Sequence, residues 1–155
     1  MEAQNANPSP DNQNAAAVRR LYTALSDGGN PEILSLVSGD LEWWFHGPPN
    51  SHHMMKVLTG ETPPSDFRFE PRGVAAVGGG GGCVVAEGWK GDQVYWVHVW
   101  TVEGGRITQL REYFNTWLTV KDLRPLRCSS GAGAATLWRS HHDDVRSMPG
   151  LMLPI

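Results

Sequence analysis

The chain has 155 residues, 40% of them hydrophobic and 19% charged, and a formal net charge of -3. That length supports one globular domain with a sizeable core. The slight negative charge and the lack of any Lys/Arg run exclude nucleic acid and an anionic membrane as expected partners, and no apolar stretch approaches the length of a membrane-spanning helix.

Residues 1–12 are polar, contain Pro8 and Pro10, and read as disordered. No basic segment followed by an apolar one occurs there, so a secretory leader is not expected. From about Asn14 the pattern turns helical, with Val18, Leu21, Tyr22 and Leu25 forming one stripe that Gly28-Gly29 ends. Asn30 as N-cap and Pro31 at the first helical position start a second helix, which buries Ile33, Leu34, Leu36 and Val37 and closes at Gly39. Leu41–His46 reads as a strand stopped by Gly47-Pro48-Pro49. Ser51 is placed to cap a short helix over His52–Thr59, with Met54, Met55 and Leu58 facing inward. Phe67–Glu70 begins a strand that continues past Pro71 to Val77. The glycine run 78–82 reads as a hairpin loop, since the helix and Lys-Ser/Thr pair of a phosphate loop do not follow it.

Residues 83–120 read as three strands joined by short Gly-containing connections at Gly91-Asp92 and Glu103-Gly104-Gly105, hence an antiparallel meander. Alternation puts Tyr95, Val97 and Val99 on one face of the middle strand and Trp96, His98 and Trp100 on the other. The last strand carries Arg111, Tyr113, Asn115 and Trp117 on one side, and Leu110, Glu112, Phe114 and Thr116 on the other. Neither face is plainly polar, so the sheet is expected to be covered on both sides. The tail, 121–155, holds a Ser/Gly/Ala linker, a short structured segment near 136–140 and an apolar end, LMLPI. It is expected to dock on the domain or on a partner copy. The two cysteines, Cys83 and Cys128, make no disulfide framework and read as reduced thiols. The expected location is therefore cytoplasmic, with the nucleus as second choice.

The element order resembles the cone-shaped α+β fold of the nuclear-transport-factor-2-like (NTF2-like) superfamily, SnoaL-like branch. WWFHGPP, MMKVLTG, YWVHVWTVEGGRITQLREYFNTWLTV and the tail LWRS…PGLMLPI are similar to the plant wound-induced protein 1 family, over roughly Ala15 to Ile155. The resemblance implies a curled antiparallel sheet with about three helices on its concave face, domain limits of 13–120, and a pocket between sheet and helices. Members are named for induction on wounding rather than for a reaction. The superfamily includes isomerases, dehydratases, cyclases and epoxide hydrolases as well as non-catalytic binding proteins, so fold does not decide function.

Candidate pocket walls are Trp43, Phe45, Met54, Met55, Trp89, Trp96, Trp100 and Trp117; the plainer alternative is core and dimer interface. Candidate catalytic groups are His98, His46, Tyr113, Asn115 and Arg111. A buried histidine serves as acid or base near neutrality. Arg111 suits a carboxylate or enolate, and Tyr113 or Asn115 an oxyanion. Glu87 or Glu112 would gain a raised pKa if desolvated. Related enzymes often have an acidic residue near the place of Asn115, which cannot itself act as a base. His52-His53 and His141-His142-Asp143-Asp144 lack ligand spacing, because adjacent helical residues point about 100° apart, so no metal is expected. No cofactor motif is present. The expected function is binding of an apolar small molecule, with cofactor-free proton transfer or cyclisation as its chemistry, in a homodimer. The alternative is a non-catalytic dimeric interaction module of the stress response.

Overall fold

The computed structural model describes residues 7–28, 30–77, 81–90 and 94–114, and three short strands at 118–119, 137–139 and 151–154. Helix α1 (Pro10–Asp27) starts upstream of its expected position. Ser9 accepts the Asn12 N–H at 3.3 Å and Pro10 takes the first helical position, so residues expected to be disordered are instead a cap and first turn. Its apolar stripe is buried, and Gly28 ends it at φ 70°. Helix α2 (Asn30–Leu36) gives way directly to strand β1 (Val37–His46). Gly39, expected to close the helix, lies instead in the irregular part of β1, where the register shifts between Val37 and Glu42. Helix α3 (His53–Leu58) has no side-chain cap from its N-cap residue, His52. Strand β2 (Pro71–Val77) begins at its proline, leaving Phe67 and Phe69 buried in the preceding loop.

Strands β3 (Cys83–Lys90), β4 (Val94–Glu103) and β5 (Arg106–Phe114) form the antiparallel meander. The β4–β5 turn uses Gly104 and Gly105, both at positive φ (57° and 79°), between the paired Glu103 and Arg106. The sheet order is β1-β5-β4-β3-β2. It is curled but mixed rather than wholly antiparallel, because β1 runs parallel to β5. No turn joins β1 to β5; the intervening elements return the chain to the same end of the sheet, as a parallel pairing requires.

The helices cover one face of the sheet. Val84, Ala86, Trp96, Trp100, Leu110 and Phe114 point there and form one core with Val18, Leu21, Tyr22, Leu25 and Met54. Burying a large apolar side chain of this kind contributes about 2–3 kcal/mol. Gly88 makes room for the Trp96 indole: a Cβ at Gly88 would overlap that ring and lie 2.8 Å from the Glu70 carbonyl oxygen. The opposite, outer face carries Val85, Val97, Val99 and Tyr113, buried as well.

Cys83, also buried, is disulfide-bonded, contrary to the expectation of reduced thiols. The tail's described strands, β6 (Leu118–Thr119), β7 (Leu137–Arg139) and β8 (Leu151–Pro154), make a small sheet in the order β6-β8-β7. Segment 136–140 and the apolar end are thus partly strand.

Candidate functional site

Alternation along β4 sends His98 inward between Trp96 and Trp100, and cross-strand pairing sets Glu112 of β5 opposite it. Both are almost fully buried, at 0% and 1% exposure. From above, the α1 stripe brings in Tyr22, whose hydroxyl lies 2.6 Å from His98 Nδ1. Trp100 Nε1 donates to the same hydroxyl oxygen at 3.0 Å. With Trp100 donating to its oxygen, the Tyr22 hydroxyl has its own proton to give to Nδ1, and in that tautomer the histidine proton sits on Nε2. That nitrogen has no hydrogen-bond partner and faces Glu112 Oε1 at 4.0 Å.

The Glu112 carboxyl accepts the Met54 N–H at 2.8 Å and the Trp43 Nε1–H at 3.3 Å. It thus does at the start of α3 what Ser51 was expected to do. A carboxylate suits the positive end of a helix, yet burial dominates and pushes the Glu112 pKa up to about 7. Burial alone drives His98 down to about 3, and it holds the Tyr22 hydroxyl well above its ordinary value. Near neutrality His98 is a neutral imidazole, and Glu112 is poised between acid and carboxylate.

Buried and partly buried side chains surround this chain of groups. Met54 is fully buried, and Met55, Trp43 and Phe45 pack around the core's rim. His52 lies 5.4 Å from Trp43 and 5.6 Å from Phe45, and His53 stacks on Phe67 at 4.6 Å, ring centre to ring centre. A groove of about 600 Å³ runs between α1 and β2, lined by Arg19, Tyr22, Thr23, Phe69, Glu70 and Arg72 among others. Tyr22 and Phe69 are also the rings in contact with His98, at 6.0 and 4.9 Å. The groove thus stops one side chain short of the buried histidine. A smaller cleft of about 270 Å³ lies beside the end of α1, against Val57, Phe67 and Phe69.

The sequence-derived candidates divide between the two faces. His98, Trp96, Trp100, Met54, Met55, Trp43 and Phe45 lie on the helix side. His46, Arg111 and Tyr113 lie on the outer face, because they occupy the other phase of the alternation in β1 and β5. His98 therefore lies on the opposite face of the sheet from Tyr113, whereas His46 stacks on the Tyr113 ring. Trp89 is also outside, tilted against Tyr95 at 5.1 Å with the Arg72 guanidinium 4.8 Å above its ring. Asn115 and Trp117 lie outside the described residues. Tyr22 was legible only as part of a helical stripe. His52 and His53 were considered only as metal ligands; among the described residues no group of three or more His, Cys, Asp or Glu is placed to hold a metal. Nor is any described helix long and apolar enough to cross a membrane.

A mixed, curled five-stranded sheet with three helices in its concavity defines an NTF2-like α+β protein. Solved structures agree. Bal32a from a soil-derived mobile gene cassette superposes with a TM-score of 0.54 at 20% identity, over 68% of this chain and 92% of its own. An NTF2-like protein of unknown function from Mesorhizobium loti gives 0.52 at 15% identity, over 71% and 97%. Within that class, the sequence pattern of the wound-induced protein WI12 family matches residues 55–155, and the chain belongs to that family. It is 36% identical to senescence associated gene 20 of Arabidopsis thaliana in an alignment of 113 residues that covers 65% of this chain and the whole of that protein. It is 34% identical to wound-induced protein 1 of Solanum tuberosum, over 65% of this chain and all of the relative.

Proposed function

We propose that this stress-related NTF2-like protein binds an apolar small molecule in the groove between α1 and β2 and exchanges a proton with it through Tyr22, His98 and Glu112. The observation that carries this reading is the polar chain inside an apolar cone. Trp100 donates to Tyr22, Tyr22 to His98, and His98 Nε2 faces a carboxyl whose pKa is about 7. Burying a carboxyl and an imidazole among aromatic rings costs free energy, and a group that changes protonation near neutrality is what acid–base chemistry requires. Tyr22 joins the two features, since it lines the groove and bonds to His98.

The test is binding of apolar carbonyl compounds, followed by Trp fluorescence, to the wild type and to Tyr22→Phe, His98→Gln and Glu112→Gln. The expected result is weaker binding to Tyr22→Phe, and loss of any ligand turnover in Glu112→Gln. Equal binding by all four proteins removes the reading.

A second reading, a non-catalytic interaction module, draws on the same interior. Trp96, Trp100 and Met54 are buried beside His98 and Glu112, and the polar chain would then serve only to hold α1 and α3 to the sheet. A homodimer through the outer face of β3 and β4 belongs to both readings and rests on the apolar composition of those strands. Val85, Val97 and Val99 are already buried within one chain, which reduces the area such a contact would gain. Light scattering at tens of micromolar is expected to show a dimer, and a monomer there removes it.

A further inference from the structure

We propose that Trp44, His46, Arg111 and Tyr113 form a second site, on the outer face of the sheet, which binds the carboxylate of an apolar acid. The four residues are two adjacent cross-strand pairs: Trp44 is opposite Arg111 and His46 is opposite Tyr113. Their side chains emerge on the same face near the β1 edge, and Val99 and Val97 of β4 lie opposite Arg111 and Tyr113 on the other side.

Arg111 is only 9% exposed. Among the described residues no carboxylate lies within ion-pair distance of this guanidinium. A buried charge without a counter-ion is costly to keep, and guanidinium is the side chain whose donor fork matches a carboxylate. Arg111 Nε is buried without a hydrogen-bond partner, and the buried Tyr113 hydroxyl, which makes no well-formed hydrogen bond, lies under the influence of the Arg111 guanidinium. A guanidinium with an unused donor and a hydroxyl beside it therefore stand one alternation apart on one face.

The surroundings specify the rest of the ligand. The Trp44 ring lies 4.9 Å from the Arg111 guanidinium carbon and is 39% exposed, so an apolar body has a ring to lie on that solvent also reaches. The His46 ring stacks on Tyr113 with centres 5.1 Å apart and planes 10° from parallel. Burial and the Arg111 charge hold His46 below the ordinary histidine range, so it is neutral near pH 7. The site thus offers one positive charge, neutral polar groups and aromatic walls. That combination matches a monoanionic carboxylate on a flat apolar body better than a phosphate, whose greater charge would lack a second cation.

The test uses the full chain and benzoate as probe, with benzyl alcohol and inorganic phosphate as the uncharged and the non-carboxylate controls. Calorimetry and Trp fluorescence read binding, and Trp44→Phe assigns the optical signal. The expected result is saturable benzoate binding, weakened about tenfold or more in Arg111→Met and several-fold in Tyr113→Phe, with weaker binding of both controls. If Arg111→Met does not fold, Tyr113→Phe and Trp44→Phe decide. Benzoate binding no better than benzyl alcohol, or equal affinity in the wild type and these variants, overturns the proposal; benzoate seated in the α1–β2 groove would give the latter. A Trp44 signal that follows protein concentration and ignores benzoate would assign the face to a second copy, and that also overturns it.

Discussion

Burial favours the neutral forms of both Glu112 and His98, and the pH dependence of stability follows from that pair. Glu112 has its pKa raised from 4.5 to about 7, so the folded state keeps a proton that the unfolded chain releases. Its contribution is full below about pH 4.5 and is lost as pH rises through about 7. His98 has its pKa lowered from 6.5 to about 3; its contribution is full above 6.5 and is lost as pH falls towards 3. Between about pH 4.5 and 6.5 the two slopes oppose each other and cancel. In Glu112→Gln only the histidine slope remains. Its stability should rise, relative to wild type, by about 1.4 kcal/mol per pH unit across that window. Urea unfolding of both proteins at pH 4.5, 5.5 and 6.5 measures this, and parallel curves would refute the assignment. Alternation along β4 and β5 grouped His98 with Trp96 and Trp100, and Glu112 with Leu110 and Phe114, but it did not tell which face of the sheet turns inward, because both faces are apolar. Their link to Tyr22 was not legible, because a helical stripe fixes which side of a helix is buried but not which strand residue it meets.

At the scale of elements, two glycines of opposite character test how tightly the strands are specified. Gly82 sits at φ 77°, directly against the Val102 carbonyl, and its own carbonyl accepts the Val102 N–H at 2.7 Å. Gly82→Ala should cost about 1–3 kcal/mol, since both backbone strain and the clash oppose it. Gly73 in β2 has open space where a Cβ would go. Gly73→Ala should be neutral, or stabilising by up to about 1 kcal/mol. At the N-terminus, Ser9→Ala should lose roughly 0.5–2 kcal/mol with the cap of α1. Denaturant midpoints compare all three. Apolar periodicity and Gly turns announced the helices and the meander. The start of α1 and the irregular stretch at Gly39 were less visible, because Ser-Pro and Ser-Gly-Asp suit a loop as readily as a cap or a bulged strand. Ser51 failed as a cap for a long-range reason: Glu112, far away in sequence, takes the first N–H groups of α3.

For the molecule as a whole, the bonded state of Cys83 gives a sharp prediction. The sequence has one other cysteine, Cys128, which lies outside the described residues. Alkylation of the denatured, non-reduced protein should leave Cys83 unlabelled, and reduction with a dithiol should lower stability by about 2–4 kcal/mol. Labelling of Cys83 without reductant would refute it. The class of fold was readable from the order of elements. The partner of β1 was not, because parallel pairing leaves no turn between the two strands to announce it.

That pairing also governs how the protein emerges from the ribosome. Among the described strands, β1, with Trp43, Trp44 and Phe45, has β5 as its only neighbour in the sheet, and β5 is the last strand of that sheet to be made. While residues 47 to 105 are being synthesised, at roughly 5–20 residues per second, those three aromatic rings have no strand to lie beside. For several seconds the nascent chain therefore displays a sticky segment of the kind that chaperones hold. A change that slowed translation ahead of β5 would lengthen that exposure without altering a single contact in the finished protein.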